Sequence, residues 1–579
     1  MVVSILLGAS SVVAAEAQTS RSTGPQPVLT VSLSGFRAIK KDLQSLAQAS
    51  GTPQLMMPLM MLGPQGPAGL DATKPWGAVV QADGQQFVMY AFLPVTDIGQ
   101  LLGSLKAFAP NAELPEPDAE GVYEFEMPDR KLVLAEKGGW AFLADSRETL
   151  ANVPKDPVPL LGGLNESYAV AVRATVKNVP ESMRQNVLGP LQMGLAMGQQ
   201  QLPEESDEQY AIRKKMMARS MEEFTKLVNE TDSLMIGLAV DPQSNALRLD
   251  VETTAMEGTD SAAEYASLGE AKSNLAGFFL PEAAMTALFA GTMPESDAAQ
   301  LTDVIDTLGS KALADLDDQD LSDNERKLAK QVLGDLIDVI RATVESRRID
   351  AAFAALASAD SLNLVAGGFV ADAAKLEKLF KQMVHIGLAE DPGMEQAITL
   401  DAEEHQGVRL HTVSIPADAL PGDDLPAMIV GENLTAAVGF SDQAAYLAIG
   451  PQSIDTLKQA IDQSKAAADQ PVPPFRFSLS ASAIGRVAEG VGAAEQSEMA
   501  PEIIDAMKQA GENDHLSVVF KAIPSGMRTS VELEVGVLKV IGAAAGAVMQ
   551  EMGPGGALEF QGFGREEAPR PPGGVPAQP

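Results

Sequence analysis

The sequence predicts an α+β protein made of two similar halves, each with a mainly antiparallel sheet and packed helices, arising from an internal duplication. Three observations lead there. The chain has 579 residues, 45% hydrophobic and 21% charged, which is a globular composition with room for several ordinary domains. Alternating apolar runs typical of strands are interleaved with helical periodicity and turn residues. Five landmarks also recur in the same order in the two halves, and such recurrence is the signature of a repeat.

Taken in chain order, residues 1–17, MVVSILLGASSVVAAEA, place an apolar stretch before the small-residue pattern Ala15-Glu16-Ala17. That pattern reads as an export signal cleaved near Ala17, although it lacks a basic leading segment. The first half, 18–271, opens on PVLTVSLSGFRAIKKDL, and the second, 272–551, on LAGFFLPEAAMTAL. The first landmark is FVMYAFLPVTDIGQLLGSL (87–105) with LNLVAGGFVADAAKLEKLF (362–380), a strand running into a helix for which Asp97 and Asp372 are N-caps. GVYEFEMP (121–128) then matches GVRLHTVSIP (407–416), and GGWAFLADSRETL (138–150) matches AAYLAIGPQSIDTL (444–457). YAVAVRATV (from 168) follows with FRFSLSASA (475–483). Last come DSLMIGLAVDPQSNALRLDVE (232–252) and DHLSVVFKAIPSGMRTSVELE (514–534), two strands hinged on Pro242 and Pro524. The opening order of each half suggests a ferredoxin-like βαββαβ unit. Extra residues are expected at 180–230 and at 416–445, where insertions at connections cost little. Residues 552–579, rich in Gly and Pro, read as a disordered tail.

Charge narrows the partners. Seventy-eight acidic against forty-two basic residues leave −36, which repels nucleic acid and anionic headgroups. The absence of Cys removes disulfides, thiolate nucleophiles and thiolate ligands. No run reaches the roughly eighteen apolar residues of a membrane span. The nearest, VGVLKVIGAAAGAVM (535–549), is broken by Lys539, and its Gly542-x-x-x-Gly546 spacing reads as a tightly packed helix.

Chemistry is sparse. Glu404, His405 and His411 stand on a predicted strand, but the two rings would lie about 20 Å apart and could not share an ion, which leaves them as polar residues on a solvated face. His385 and His515 carry no ligand spacing. DLDDQDLSDNER (315–326) fails the calcium-loop pattern at Asp320 and Arg326, and Ser322-x-x-Glu325 is a capping box. No hydrolase elbow, phosphate loop or zinc helix occurs. No cofactor or metal site is predicted, and catalytic residues are unassigned. The methionines are Met56, Met57, Met60 and Met61, then Met183, Met193 and Met197, then Met216, Met217 and Met221. Thioethers suit Cu(I), yet Pro58 interrupts the first group and no His accompanies it. Met56, Met57, Met60 and Met61 are therefore read as a hydrophobic contact surface, within a connection that ends before the strand starting at Trp76.

The order of features, with the signal, the GGWAFLADSRETL-like segments and the Pro/Gly-rich tail, resembles the layout of a loose group of uncharacterised exported proteins of planctomycete-type bacteria. The resemblance implies an envelope or extracellular location and transfers no catalytic residue. The leading expectation is a non-enzymatic envelope interaction or scaffold module with an unknown protein partner. The alternative is a carrier of apolar ligands or lipids held between the halves, and a third reading is a hydrolase with an unrecognised carboxylate pair.

Overall fold

Period-two alternation folds into strands over most of the predicted stretches. The computed structural model describes residues 26–551 apart from 57–58, 60–65, 84–85, 107–113, 127–130, 186–188, 190–200, 202–204, 270, 318, 320–321, 359–360, 391, 417–430, 469 and 491–500. The export segment, the tail, and Met57, Met60, Met61, Met193 and Met197 therefore lie outside the described residues.

The strands up to residue 255 are β1 (Gln26–Leu33), β2 (Trp76–Asp83), β3 (Gln86–Pro94), β4 (Tyr123–Glu126), β5 (Lys131–Lys137), β6 (Trp140–Ala144), β7 (Val170–Thr175), β8 (Thr231–Val240) and β9 (Leu247–Ala255). Those beyond are β10 (Met285–Thr292), β11 (Arg348–Ala357), β12 (Leu362–Phe369), β13 (Ile398–His405), β14 (Val408–Pro416), β15 (Asn433–Phe440), β16 (Ala444–Ile449), β17 (Phe475–Ser480), β18 (His515–Ile523) and β19 (Gly526–Leu533). The helices are α1 (Phe36–Ser50), α2 (Ile98–Lys106), α3 (Arg147–Asn152), α4 (Leu164–Ser167), α5 (Asp207–Glu230) and α6 (Asp260–Leu268). They continue with α7 (Glu295–Asp315), α8 (Asp323–Glu345), α9 (Ala373–Glu390), α10 (Ser453–Ala466), α11 (Ala481–Gly490), α12 (Pro501–Lys508) and α13 (Val535–Glu551).

The class is α+β. All described ladders are antiparallel and join one sheet in the order β4-β5-β6-β3-β2-β1-β7-β8-β9-β19-β18-β17-β10-β11-β12-β16-β15-β14-β13. The first strand of a ferredoxin-like unit lies between its third and fourth strands. Here β1 lies between β2 and β7, because α1 returns the chain to the adjacent position and β2 and β3 form a hairpin. The ferredoxin-like order is thus not the one adopted. Residues 416–445 are likewise not only a connection, since they contain β15.

Directly opposed residues point to one side of a sheet, so the register identifies the faces. The side of Val31 continues through Val172, Ile236, Val251, Thr529, Phe520 and Phe475 to Phe289. The opposite, filled side carries the two largest cores. One gathers Phe92, Trp140, Phe142, Leu150 and Leu161. The other gathers Phe278, Leu288, Val365, Tyr446 and Leu457. On the Val31 side, α1 packs Ile39 over Val31 and Leu33, and α2 packs Leu101 and Leu102 over Leu134 and Ala141. The centre of that side is the exception developed below.

Helix starts follow local chemistry. The Gln100 N–H donates to Asp97 Oδ1 at 2.9 Å, and the Lys375 N–H donates to Asp372 Oδ1 at 2.9 Å, so both aspartates cap as predicted. Ser322 and Glu325 form the predicted capping box at α8. In α13 a Cβ on Gly542 would overlap Thr52 just beyond α1, whereas Gly546 faces open space. The small-residue spacing therefore serves close packing at one of its two glycines.

Candidate functional site

The central strands invert the usual arrangement of a sheet. On β8, Ser233, Met235, Gly237 and Ala239 alternate with Leu234, Ile236 and Leu238. Leu234, Ile236 and Leu238 are the exposed ones, 38%, 55% and 37% accessible, while Met235, Gly237 and Ala239 are buried. On β9, Leu249 and Val251 are 37% and 38% accessible, while Asp250 between them is fully buried. Val531, Val518, Phe520, Phe475 and Phe477 extend the apolar floor as half-buried residues, and Phe289 on β10 is exposed. From β8 to β10 the floor crosses six strands, roughly 24 Å at the usual strand spacing. Large exposed apolar patches and buried charges are the informative departures from normal burial, and both occur here on two faces of the same strands.

The polar groups beneath are held by specific partners. Tyr168 lies against Gly237, where a Cβ would come 2.5 Å from the ring, so glycine is what lets the ring lie flat on β8. The Tyr168 hydroxyl then donates to Asp250 at 3.0 Å, and Ser530 donates to the other Asp250 oxygen at 2.7 Å. Burial, and next the Asp250 charge, push the Tyr168 hydroxyl pKa up. Arg528 donates to Glu252 at 2.6 Å, and Arg248 is ion-paired with Asp250 at 3.3 Å. Asp250 and Glu252 project to one side of β9 as a carboxylate pair would. Both are already engaged, and Asp250 is sealed from solvent, so this pair is structural.

A second cluster lies at the far end of the Val31 side. His405 and His411 do not share a strand: Gln406 and Gly407, both at positive φ, turn β13 into β14. His411 is buried, which corrects the solvated-face expectation, and His405 Nε2 is hydrogen-bonded with Asp462 Oδ1 at 3.0 Å. Asp401 occupies a bulge of β13 at φ 52°, a conformation Asp tolerates, and its N–H donates to His411 Nδ1 at 2.9 Å. With Nδ1 accepting, the neutral ring carries its proton on Nε2, which faces Glu377 Oε1 at 3.3 Å. Glu377, Asp401 and His411 offer three ligand atoms within 4.8 Å of one another, as a metal site would. The Lys381 ammonium, however, stands between the two carboxylates, 2.9 Å from Glu377 and 2.7 Å from Asp401. Arg409 adds hydrogen bonds to Glu377 at 2.9 and 2.6 Å. The place of a cation is taken by side chains of the protein. Burial would raise the Glu377 carboxyl, but the hydrogen bonds and charges of Arg409 and Lys381 outweigh it and hold the pKa at about 2. Burial and then Lys381 lower the His411 pKa. The cluster pins α9 to the β13–β14 hairpin.

The remaining sequence candidates stay apart. Met56 ends a short 3₁₀ turn, Pro53–Met56, between α1 and β2, and is half-buried. Met216, Met217 and Met221 lie on α5, with Met216 exposed. Asp317 is ion-paired with Lys330 of α8 at 2.6 Å, while Asp318 and Asp320 lie outside the described residues. Among the described residues no helix is long and apolar enough to cross a membrane. The apolar floor was not identified from sequence, although the alternation of DSLMIGLAVD and ALRLDVE was its signal. No protein-family model, curated protein or solved structure matches the chain.

Proposed function

We propose that the protein is a carrier of apolar, lipid-like ligands, seated on the central floor of the sheet where two duplicated halves meet. The observation that carries this reading is the row Leu234, Ile236, Leu238, Leu249 and Val251, exposed above a buried layer that is apolar under β8 at Met235 and Ala239 and holds Asp250 under β9. These side chains are accessible by about a third to a half and not wholly proud of the surface, and α1 and α2 pack on the same side of the sheet. A slender flexible chain reaches such a recessed floor more readily than a rigid protein face does. An interaction module would also use an exposed apolar face, so the preference for a carrier rests on the recess of these side chains and not on their apolar character.

The duplication is supported by strand order. Outward from the β9·β19 seam one arm runs β9, β8, β7, β1, β2, β3, β6, β5, β4, and the other runs β19, β18, β17, β10, β11, β12, β16, β15, β14, with β13 added. The capped helices after β3 and β12 then correspond, as do the hairpins at Pro242 and Pro524. The export segment read in residues 1–17 would place the carrier in the envelope or outside the cell.

The test is mass spectrometry of organic extracts from protein purified from its native host, together with titration of a fluorescent long-chain acyl probe. Stoichiometric lipid and saturable probe binding that is lost in Ile236→Asp and Val251→Asp are expected. Lipid-free protein that also fails to bind the probe would refute the carrier role.

A further inference from the structure

Two pairs of helices stand at opposite ends of the β9·β19 seam. At one end α5 enters β8 and α6 leaves β9, and at the other α12 enters β18 and α13 leaves β19. Both pairs reach helices on the floor side of the sheet. α13 packs against α1, which lies over Val31 and Leu33. α5 is ion-paired with α7, which packs on α8, and α8 lines one apolar cavity with Val438 and Phe440. The register Phe289↔Ala351↔Gly368↔Ala445↔Phe440 puts Phe440, and Val438 with it, on the floor side.

The two pairs are held by different forces. At α12 and α13, Ile504, Gly536 and Val540 are buried, and a Cβ on Gly536 would come 2.7 Å from the Ala510 carbonyl oxygen. No described side chain of α5 or α6 is buried. Instead Lys215 pairs with Asp303 at 2.8 Å, Arg219 with Asp297 and Gln300, and Lys226 with Glu264 at 3.3 Å. Glu230 accepts from the Ser261 N–H at 2.9 Å. The spacing of Lys215, Arg219, Lys226 and Glu230 puts all four on one face of α5, and the helix runs about 16 Å from Arg219 to Glu230. Since Glu230 adjoins β8 and Asp297 lies just beyond β10, α5 crosses the end of the floor. Solvent-accessible ion pairs are weak and screened by salt, and elements with few buried apolar contacts open at the least cost.

We propose that α5 is the movable wall of the central floor: it releases α7 and swings aside to admit an apolar ligand, while α13 stays fixed. The ligand in this statement rests on the carrier reading; the motion does not.

The chain has no cysteine, so spin labels go only where cysteines are introduced. Exposed Met216 and Leu308 report on α5 against α7, and exposed Ile541 and Leu55 report on α13 against the end of α1. In pulsed electron spin resonance of the full chain, 1 M NaCl and Arg219→Glu should each lengthen the Met216→Cys/Leu308→Cys distance by more than about one helical turn, 5 Å, and leave the Ile541→Cys/Leu55→Cys distance unchanged. Bridging Lys215→Cys to Asp303→Cys with a short bis-maleimide should slow association and release of the long-chain acyl probe by at least about tenfold. A first distance that neither salt nor Arg219→Glu alters, or one that changes together with the second, would overturn the movable wall. Saturable probe binding whose rates ignore the bridge would overturn the gating role and leave the carrier standing. Absence of probe binding in bridged and unbridged protein alike would remove the carrier and the gating role together, with the spin-label distances still deciding the motion.

Discussion

Replacing Glu377 by glutamine keeps the shape of a buried side chain and removes the charge around which Arg409, Lys381 and His411 are arranged. Its carboxyl sits at about 2 against an ordinary value of 4.5. A difference of that size corresponds to about 3 kcal/mol of stability at neutral pH. The sign follows from the direction of the shift. A depressed carboxyl pKa stabilises the fold fully above about 4.5, and the contribution fades as pH falls toward about 2. The lowered His411 pKa acts in the same sense, since a ring kept neutral favours the fold at higher pH. Glu377→Gln should therefore lower the local opening free energy of α9 and the β13–β14 hairpin by about 3 kcal/mol at pH 7, with the gap closing near pH 2. Amide hydrogen exchange resolved to residues 373–416 reads this directly and does not require the whole chain to unfold in one step. A gap below about 1 kcal/mol at pH 7, or one that persists unchanged to pH 2.5, would show that the cluster is not held by this charge.

Asp97→Ala and Asp372→Ala should each cost about 1 kcal/mol, and the double variant should cost their sum, because the two caps share no partner; thermal and urea melts of the four proteins check this. Gly542→Leu should displace α13 from Thr52 and deprotect both α13 and the end of α1 in hydrogen exchange, whereas Gly546→Leu should be neutral. Equal effects at the two glycines would contradict the packing described.

Features set by neighbours in sequence were legible: the aspartate caps, the Ser322 box and the hairpins at Pro242 and Pro524. The apolar floor was not, for a definite reason. Alternation in LMIGLAV announces two faces of a strand without saying which is buried, and ordinary burial preference would put Leu234, Ile236 and Leu238 inside. Tyr168, more than sixty residues earlier, reverses that choice by filling the space over Gly237. The ferredoxin-like expectation failed for a related reason, since a βαββαβ order is compatible with several strand arrangements. The solvated-face expectation for His411 fails because Gln406-Gly407 turns the chain between two strands, and an X-Gly pair between alternating runs is a hairpin signal. Its partner Glu377 lies on a helix 34 residues away, a distance that no local pattern spans.

The β9·β19 seam joins these observations. Separate sheets for the two parts of the chain would leave β9 and β19 as exposed edges, each a template for pairing with another chain. The seam consumes both edges over the register from Leu247↔Leu533 to Thr254↔Gly526 and sets their apolar sides together as one floor. In the alignment that matches Pro242 with Pro524, Leu249 corresponds to Val531, and these two residues stand directly opposite one another. The seam then has the form of an isologous contact, with a local twofold through that pair, as expected if a homodimer interface became internal on duplication. A fragment of residues 26–269 retains its own core around Phe92 and Trp140 but ends with β9 unpaired. It should dimerise through β9 with Leu249 opposite its own copy, giving twice the monomer mass in sedimentation equilibrium. Because the chain has no cysteine, Leu249→Cys in this fragment should crosslink on oxidation, while Arg248→Cys should not, its opposite residue in the seam being Glu532, the counterpart of Asp250. A fragment that stays monomeric at tens of micromolar, or that crosslinks equally from both positions, would remove the twofold and with it the main support for duplication.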